Sequence, residues 1–270
     1  MEKVGRTKAV DLPKKQESSL EKERCPYQRC NGDGFEVVEE GGRLIAVECD
    51  CRELRTINTK LEFARIDQEF CEATISDYRI KGYYKKESAI ENAMICKKSA
   101  SEYVRRFDEM KKRKKGLYFH SKRAGSGKTL LVSAIGNELI RRYKAQVRFA
   151  TAGELLDAIR ATYSKDSELK THQLIEAAKK VEVLIIDDLG QQTVKADTND
   201  HLFDIFNYRI KSDVVTIFSS NCKVENLPYD YRIKSRIQRM AVPIQAPEES
   251  VRQTLAEREN EEILDSLLTG

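Results

Sequence analysis

Apolar residues in the second half of this chain fall into short runs that are separated by amphipathic stretches. Five of these runs predict buried β-strands, at residues 116–120, 147–150, 182–187, 214–220 and 241–245. In the intervals the apolar residues recur at helical spacing, as between residues 131 and 143. This alternation predicts an α/β fold whose central parallel sheet is covered by helices on both faces.

The first half of the chain has a different pattern. Residues 1–24 are polar and rich in charge, and residues 25–51 contain four of the seven cysteines. Residues 52–115 predict charged helical segments with scattered apolar anchors. We therefore expect a small cysteine-containing module, a helical linker and an α/β domain, with boundaries at 1–55, 56–115 and 116–270.

A glycine-rich turn, AGSGKT, joins the first strand of the α/β domain to an amphipathic helix. Gly125, Ser126 and Gly127 would turn backbone N–H groups toward phosphate oxygens at the positive end of that helix. Lys128 would neutralise the β- and γ-phosphates, and the Thr129 hydroxyl would ligate Mg²⁺. The turn therefore predicts a site for ATP or ADP with Mg²⁺.

Two acids end a later apolar strand, in the sequence VLIIDD. Asp187 would hold Mg²⁺ through water, as the acid after an apolar strand does in P-loop NTPases. Asp188 stands where many ATPases have a glutamate that orients the attacking water. Because aspartate is one methylene shorter, we expect slow hydrolysis, which suits a switch better than a motor.

The cysteines of the first module form two close pairs, Cys25 with Cys30 and Cys49 with Cys51. Apolar segments on either side of a Gly-Gly turn predict a hairpin that brings the pairs together as a tetrahedral site for Zn²⁺. Metal binding would supply the folding energy that so short a segment lacks. An iron–sulfur cluster or unligated thiols are the alternatives.

Positive charge is concentrated in residues 101–150, which hold 14 Lys or Arg and 4 Asp or Glu, in a chain of net charge +4. The block Lys111–Lys115 supplies much of it. One interpretation is a solvated helix end. The other is a contact with the phosphate backbone of nucleic acid.

Composition and the start of the chain bear on location. No apolar run approaches the ~20 residues of a membrane span, and the polar first residues lack an apolar signal segment. We therefore expect a cytoplasmic protein without membrane contacts. Its cysteines should then be reduced thiols or metal ligands.

With these residues in place, the chain resembles the DnaC/DnaI helicase loaders, which are AAA+ ATPases related to the IstB transposition ATPases. The cysteine cluster, the phosphate loop and the double aspartate before Leu189-Gly190 carry the resemblance. Lys122 stands where the pattern GxxxxGKT has its first glycine. With this lysine, the phosphate loop resembles that of phage-borne or Gram-positive members of the family.

The resemblance implies three further site residues. Asn221, which follows the strand at 214–220, corresponds to the sensor 1 residue near the γ-phosphate. Arg236, in the segment YRIKSRI, corresponds to the arginine finger that reaches the nucleotide of a neighbouring subunit, so that ATP would bridge a homo-oligomer. Arg252 corresponds to sensor 2. The alternatives are surface ion pairs for the two arginines and a simple strand end for Asn221.

The resemblance also implies partners. The chain would load a hexameric replicative helicase of the DnaB type onto single-stranded DNA, and residues 1–55 would bind the helicase. Tyr163 with Arg160 and Lys165 offers base stacking beside phosphate contacts, although a core or helix-end aromatic explains Tyr163 equally well.

Two other functions compete with helicase loading. One is an IstB-like transposition helper ATPase, although those proteins generally have a helical N-terminal region in place of a cysteine module. The other is a nucleotide-gated DNA-binding protein with little turnover.

Overall fold

The computed structural model describes residues 25–27, 29–30, 34–40, 43–161, 175–191 and 196–269. The chain divides into two compact units, Met1–Arg55 and Thr56–Gly270. Residues 56–115, for which the sequence predicted a linker, belong to the second unit. Within the described ranges, no helix has the length and apolar character that crossing a bilayer requires.

Helices and strands follow one another along the chain in this order: β1 (Phe35–Glu40), β2 (Arg43–Glu48), α1 (Cys51–Ala64), α2 (Glu87–Arg105), α3 (Phe107–Lys112), β3 (Gly116–His120), α4 (Lys128–Tyr143), β4 (Val147–Thr151), α5 (Ala152–Ala161), α6 (helical at residues 175–180), β5 (Val183–Leu189), α7 (Ala196–Lys211), β6 (Val215–Ser220), α8 (Tyr231–Met240), β7 (Ala241–Gln245) and α9 (Val251–Thr269). Short 3₁₀ helices lie at Gln68–Phe70, Ile75–Asp77 and Val224–Asn226.

The first unit contains the predicted hairpin. Strands β1 and β2 pair antiparallel, with Phe35 opposite Glu48 at the open end. The Cys49 N–H donates to the Gly34 carbonyl oxygen at 2.9 Å, which closes that end. The hairpin therefore places the residues before β1 beside the residues after β2.

The second unit is built on a five-stranded parallel sheet with the strand order β4-β5-β6-β3-β7. Its strands match the five predicted runs to within two residues. The predicted α/β fold with a central parallel sheet is confirmed.

Helices cover both faces of this sheet. Residues of β5 alternate between two cores, since Val183 and Ile185 pack with α2 and α4, whereas Leu184 and Ile186 pack with α5, α7 and α8. Both sets of side chains are fully buried. This two-sided burial explains why the strand is a continuous apolar run.

Parallel pairing brings the carboxyl ends of β3, β5 and β6 to one edge of the sheet. The turn after β3, the acids at the end of β5 and the residue after β6 therefore meet there. Ligands of open parallel sheets bind at this edge.

The basic segment 111–115 contacts its own domain. Lys111 Nζ lies 2.6 Å from a carboxylate oxygen of Glu182. Lys115 Nζ donates to the Arg239 carbonyl oxygen at 2.5 Å. Two side chains of the basic segment are therefore engaged within their own domain, and its contact with nucleic acid stays a prediction.

Arg209 joins three elements from a position that is 1% exposed. Its guanidinium donates to the carbonyl oxygen of Ala178, in the last turn of α6, at 2.8 Å and to that of Val181, just after α6, at 2.9 Å. It also donates to the Val215 carbonyl oxygen at 2.5 Å and to Thr216 Oγ1 at 2.8 Å. The planar fork of arginine provides donors in these directions, and the ammonium of lysine does not.

We predict that Arg209→Lys lowers the free energy of unfolding by about 2–4 kcal/mol, because several buried carbonyl oxygens lose their donor. Urea denaturation followed by circular dichroism measures the loss. Arg105→Lys is the matched control, since that side chain is 64% exposed in an ion pair with Glu102. Equal unfolding midpoints for the two variants would contradict this role of Arg209.

Candidate functional site

The turn between β3 and α4 wraps around the N-terminus of α4. Gly125 and Gly127 have φ angles of +73° and +86°, a region that side chains rarely adopt. Gly127 is the N-cap of α4, so the N–H groups of the first helical turn have no partner within the helix. The turn therefore presents donors and the positive end of the helix dipole to an anion.

Lys128 is the first residue of α4 and is 5% exposed. Its ammonium donates to the Arg123 carbonyl oxygen at 2.9 Å and to Ser126 Oγ at 3.2 Å. Burial lowers the pKa of Lys128, and the nearby carboxylates of Asp188 and Asp187 raise it. The cation lies inside the loop, where it can pair with a phosphate.

Asp187 lies between the helix of the loop and the neighbouring strand. Its Oδ2 accepts a hydrogen bond from Thr129 Oγ1 at 3.0 Å, and its Oδ1 accepts one from Ser219 Oγ. The side chain is 4% exposed, and burial raises the pKa of Asp187 while the Ser219 hydroxyl lowers it. The predicted Mg²⁺ residues Thr129 and Asp187 are therefore in direct contact.

The two acids of β5 form a β-bulge. Ile186 pairs with Phe218 and Leu189 pairs with Ser220, so two residues of β5 stand opposite one residue of β6. Asp188 has a φ angle of +53°, which is uncommon for a residue with a side chain. The bulge turns Asp188 toward the cavity described next, whereas Asp187 stays buried beneath it.

A cavity of about 600 Å³ opens over the loop. Residues 124–130, Asp188, Asn221 and Arg252 line it together with residues between Glu69 and Tyr84. Its volume suits a small-molecule ligand the size of a nucleotide.

The structure brings Asn221 and Arg252 to this cavity together with the loop. Asn221 Oδ1 is buried and has no hydrogen-bond partner among the described residues. A buried acceptor of this kind needs a donor that a ligand or its bound water supplies. The oxygen atoms of Thr129, Asp187 and Asp188 are of the type that Mg²⁺ prefers, so the residues fit a nucleotide with Mg²⁺.

The segment before α9 and the first residue of α9 contact the loop. The Glu248 carboxylate accepts the Lys122 N–H at 3.1 Å, and the Val251 N–H donates to the Gly125 carbonyl oxygen at 2.8 Å. Lys122 has no unusual φ angle. The turn therefore forms with a lysine at the position where the consensus has its first glycine.

Arg236 lies outside the cavity. Its guanidinium stacks 3.8 Å from the centre of the Phe203 ring and donates to the Arg232 carbonyl oxygen at 3.1 Å and to Asn207 Oδ1 at 3.3 Å. The chain's own nucleotide site is therefore built without Arg236, and a role on a neighbouring subunit stays a prediction.

The candidate DNA contact can be followed only at one residue. Arg160 pairs with Asp157 at 2.9 Å on the surface of α5. Tyr163 and Lys165 lie outside the described residues. The stacking contact stays a prediction.

The four cysteines of the first unit form one cluster. The Sγ atoms of Cys25 and Cys49 are 3.7 Å apart, those of Cys30 and Cys51 are 3.4 Å apart, and all four lie within 4.8 Å of one another. Four sulfurs at about 2.3 Å from a tetrahedral Zn²⁺ would be about 3.8 Å apart. The donor set and its spacing therefore fit zinc.

The cysteines of the cluster differ in pKa. Burial raises the pKa of Cys25, but the N–H groups of Cys30, Arg29 and Tyr27 outweigh this and lower it to about 6. Burial and the neighbouring sulfurs raise the pKa of Cys51 to about 12. With pKa values this far apart, all four sulfurs are thiolates near neutral pH only when a bound cation offsets their charge.

Sequence reasoning missed two features of the site. Tyr84 donates to the Ser126 carbonyl oxygen at 3.0 Å, and its oxygen lies 3.1 Å from the Tyr78 hydroxyl, which is free to donate to it. A Cβ on Gly127 would lie 2.8 Å from the Tyr78 ring. Ser219, which donates to Asp187, belongs to none of the sequence motifs. Two adjacent serines at the end of a buried strand were the available signal, because buried hydroxyls need partners.

Several known proteins are similar to this chain. Residues 92–242, more than half of the chain, match the bacterial DnaA ATPase domain family. The phage-like element PBSX protein XkdC of Bacillus subtilis is 27% identical over 223 residues, which cover 81% of this chain and 78% of that protein. The match therefore includes a phage-type relative.

Two helicase-loader comparisons point the same way. The replicative helicase loader DnaC of Escherichia coli is 28% identical over 137 residues, which cover 51% of this chain and 54% of that protein. This chain thus spans about half the length of DnaC. The crystal structure of DnaI superimposes with a TM-score of 0.56 at 27% identity and covers 67% of this chain and 94% of that chain.

The resemblance to the DnaC/DnaI helicase loaders is confirmed by these relatives, and the AAA+ fold is confirmed by the structural neighbours. The family match spans the phosphate loop, both acids of β5, Asn221 and Arg236. The chain belongs to the bacterial DnaA ATPase domain family.

Proposed function

We propose that this protein is a slow ATPase that loads a DnaB-type replicative helicase onto single-stranded DNA under the control of ATP. The observation that carries the proposal is the cavity in which the phosphate loop, Asp188, Asn221 and Arg252 meet. The similarity to a protein named as a replicative helicase loader supports the loading role.

The residues around the cavity divide the chemistry of hydrolysis among them. Gly125, Ser126, Gly127 and Lys128 bind the phosphates, and Asp188 orients the attacking water. Thr129 and Asp187 would hold Mg²⁺, whose charge offsets that of the phosphate oxygens when it is bound.

Asn221 and Arg252 line the same cavity as the loop, so we expect both to contact the γ-phosphate. Because phosphoryl transfer spreads charge over the γ-oxygens, fixed donors around them stabilise the transition state. The short side chain of Asp188 accounts for the slow turnover that we expect. ATP then acts mainly as a switch.

Assembly depends on Arg236 in this proposal. Its guanidinium packs against Phe203 and Asn207 of α7 and is absent from the lining of its own cavity, which supports a role in trans. A γ-phosphate held by Lys128 of one chain and Arg236 of the next would join two subunits. The homo-oligomer would therefore form with ATP and separate after hydrolysis.

The cysteine unit is the proposed helicase-binding module. Its four sulfurs would bind one structural Zn²⁺ through Cys25, Cys30, Cys49 and Cys51. A closed four-sulfur shell leaves no position for substrate, which indicates a structural metal. The unit would then present a folded surface to the helicase.

We predict that Lys128→Ala weakens ATP binding by about 100-fold, since losing a hydrogen bond between charged groups costs up to about 3 kcal/mol. Titration with a fluorescent ATP analogue measures this. The wild-type protein with ATP should also place the host's replicative helicase on circular single-stranded DNA, scored by unwinding, and the variant should not.

Lys122→Ala is the matched control for Lys128→Ala, because Lys122 contributes its backbone N–H to the loop contact with Glu248. It should bind ATP like the wild type. Equal loss in both variants would contradict the assignment of Lys128. Helicase loading that is independent of nucleotide would contradict the proposed function.

A second prediction concerns Arg236→Ala. ATP binding to the single chain should be nearly normal, because the residue lies outside its own cavity. ATP-dependent oligomerisation, followed by light scattering, should be lost, together with hydrolysis stimulated by single-stranded DNA. An in-trans arginine contributes about 10³–10⁵ to the rate in related chemistry.

Arg239→Ala, on the exposed side of the same helix, is the control for Arg236. It should assemble like the wild type. If Arg236→Ala also assembles and hydrolyses normally, the residue is an ordinary surface arginine.

We further predict about one zinc per chain by metal analysis, and its loss in the double variant Cys49→Ser with Cys51→Ser. Cys71→Ser is the control, because its thiol donates to the Gln68 carbonyl oxygen within the second unit. Zinc that survives the double substitution would place the ligands elsewhere, and iron in place of zinc would indicate a cluster.

A further inference from the structure

Ser219 is a polar residue in the middle of a parallel sheet. Every residue of β6 is buried, and Ser219 is 0% exposed. Its hydroxyl donates to Asp187 Oδ1 and accepts the Asp188 N–H at 3.1 Å. One hydroxyl therefore contacts both acids at the end of β5.

The β-bulge explains why this hydroxyl is needed. Asp187 and Asp188 together stand opposite Ser219, so the regular backbone ladder between β5 and β6 is interrupted there. The Asp188 N–H, which a ladder would pair with a carbonyl oxygen, is paired with the serine side chain. Because buried N–H groups need acceptors, Ser219 replaces the missing ladder bond.

The conformation of Asp188 depends on the same contact. With a φ angle of +53°, its backbone is in a region that aspartate adopts less readily than glycine. Such a conformation persists only where surrounding contacts hold it. As a result, the bulge points Asp188 into the cavity that Asn221 also lines.

We infer that Ser219 is a positioning residue, which aims Asp188 at the attacking water and fixes Asp187 against Thr129 for Mg²⁺. The inference rests on the proposed ATPase function. Ser219 does not line the cavity and acts only through the two acids.

Replacing Ser219 by alanine should separate turnover from binding. The phosphate contacts of Lys128 and the loop are unaffected, so the KM for ATP should stay within about threefold. Mutation of residues that orient metal ligands typically lowers activity by about 10–100-fold, and we expect kcat to fall by about that factor. The Mg²⁺ concentration that gives half-maximal binding of a fluorescent ATP analogue should rise by about tenfold.

Two further variants distinguish positioning from packing. Ser219→Thr keeps the hydroxyl and should restore most of kcat and the wild-type Mg²⁺ dependence. Ser133→Ala is the matched control, because its buried hydroxyl on α4 has no hydrogen-bond partner among the described residues. It should leave kcat and the Mg²⁺ dependence unchanged. Should Ser219→Ala unfold, Ser219→Cys, which has a similar shape and is a weak donor, is measured in its place.

The experiment compares these variants with the wild type by phosphate release and by Mg²⁺ titration. If the wild type hydrolyses ATP and Ser219→Ala has the same kcat and the same Mg²⁺ dependence, the inference is overturned. The proposed function then still stands. A wild-type protein that neither binds nor hydrolyses Mg²⁺–ATP overturns both. If the wild type binds Mg²⁺–ATP without turnover, the Mg²⁺ titration alone decides the role of Ser219.

Discussion

The carboxylate of Asp187 is the point on which the arrangement of the nucleotide site depends. Its two oxygens accept hydrogen bonds from Thr129 on α4 and Ser219 on β6, so three elements are fixed to one another. A buried carboxylate is unfavourable without such donors. The same side chain that the fold must satisfy is therefore the one that a metal ion needs in a fixed place.

Contacts from outside the sheet strands also hold the phosphate loop. Tyr84 binds the Ser126 carbonyl oxygen, and Glu248 binds the Lys122 N–H. Segments far apart in the sequence thus meet around one turn, and α9, which carries Arg252, follows directly after Glu248. Contacts of α9 with a γ-phosphate would be transmitted to the loop through this connection, as a nucleotide switch requires.

Local patterns predicted the parts of the structure that local chemistry decides. The apolar runs located the five strands of the parallel sheet, most clearly β3, β5 and β6, which are buried on both faces and so have no polar alternation. The spacing of the four cysteines located the sulfur cluster. The bulge at Asp187 and Asp188 could not be predicted, since it depends on a serine 31 residues or more away. The partner of Arg236 cannot be read from one chain, because it would lie on another.

The most direct test of the account is a structure with a slowly hydrolysed ATP analogue and Mg²⁺. We expect the γ-phosphate between Lys128 and Asn221, Mg²⁺ beside Thr129 and Asp187, and the bulge at Asp188 unchanged, because the site is formed before the ligand binds. A nucleotide bound elsewhere, or a regular β5 in which Asp188 no longer points into the cavity, would contradict it.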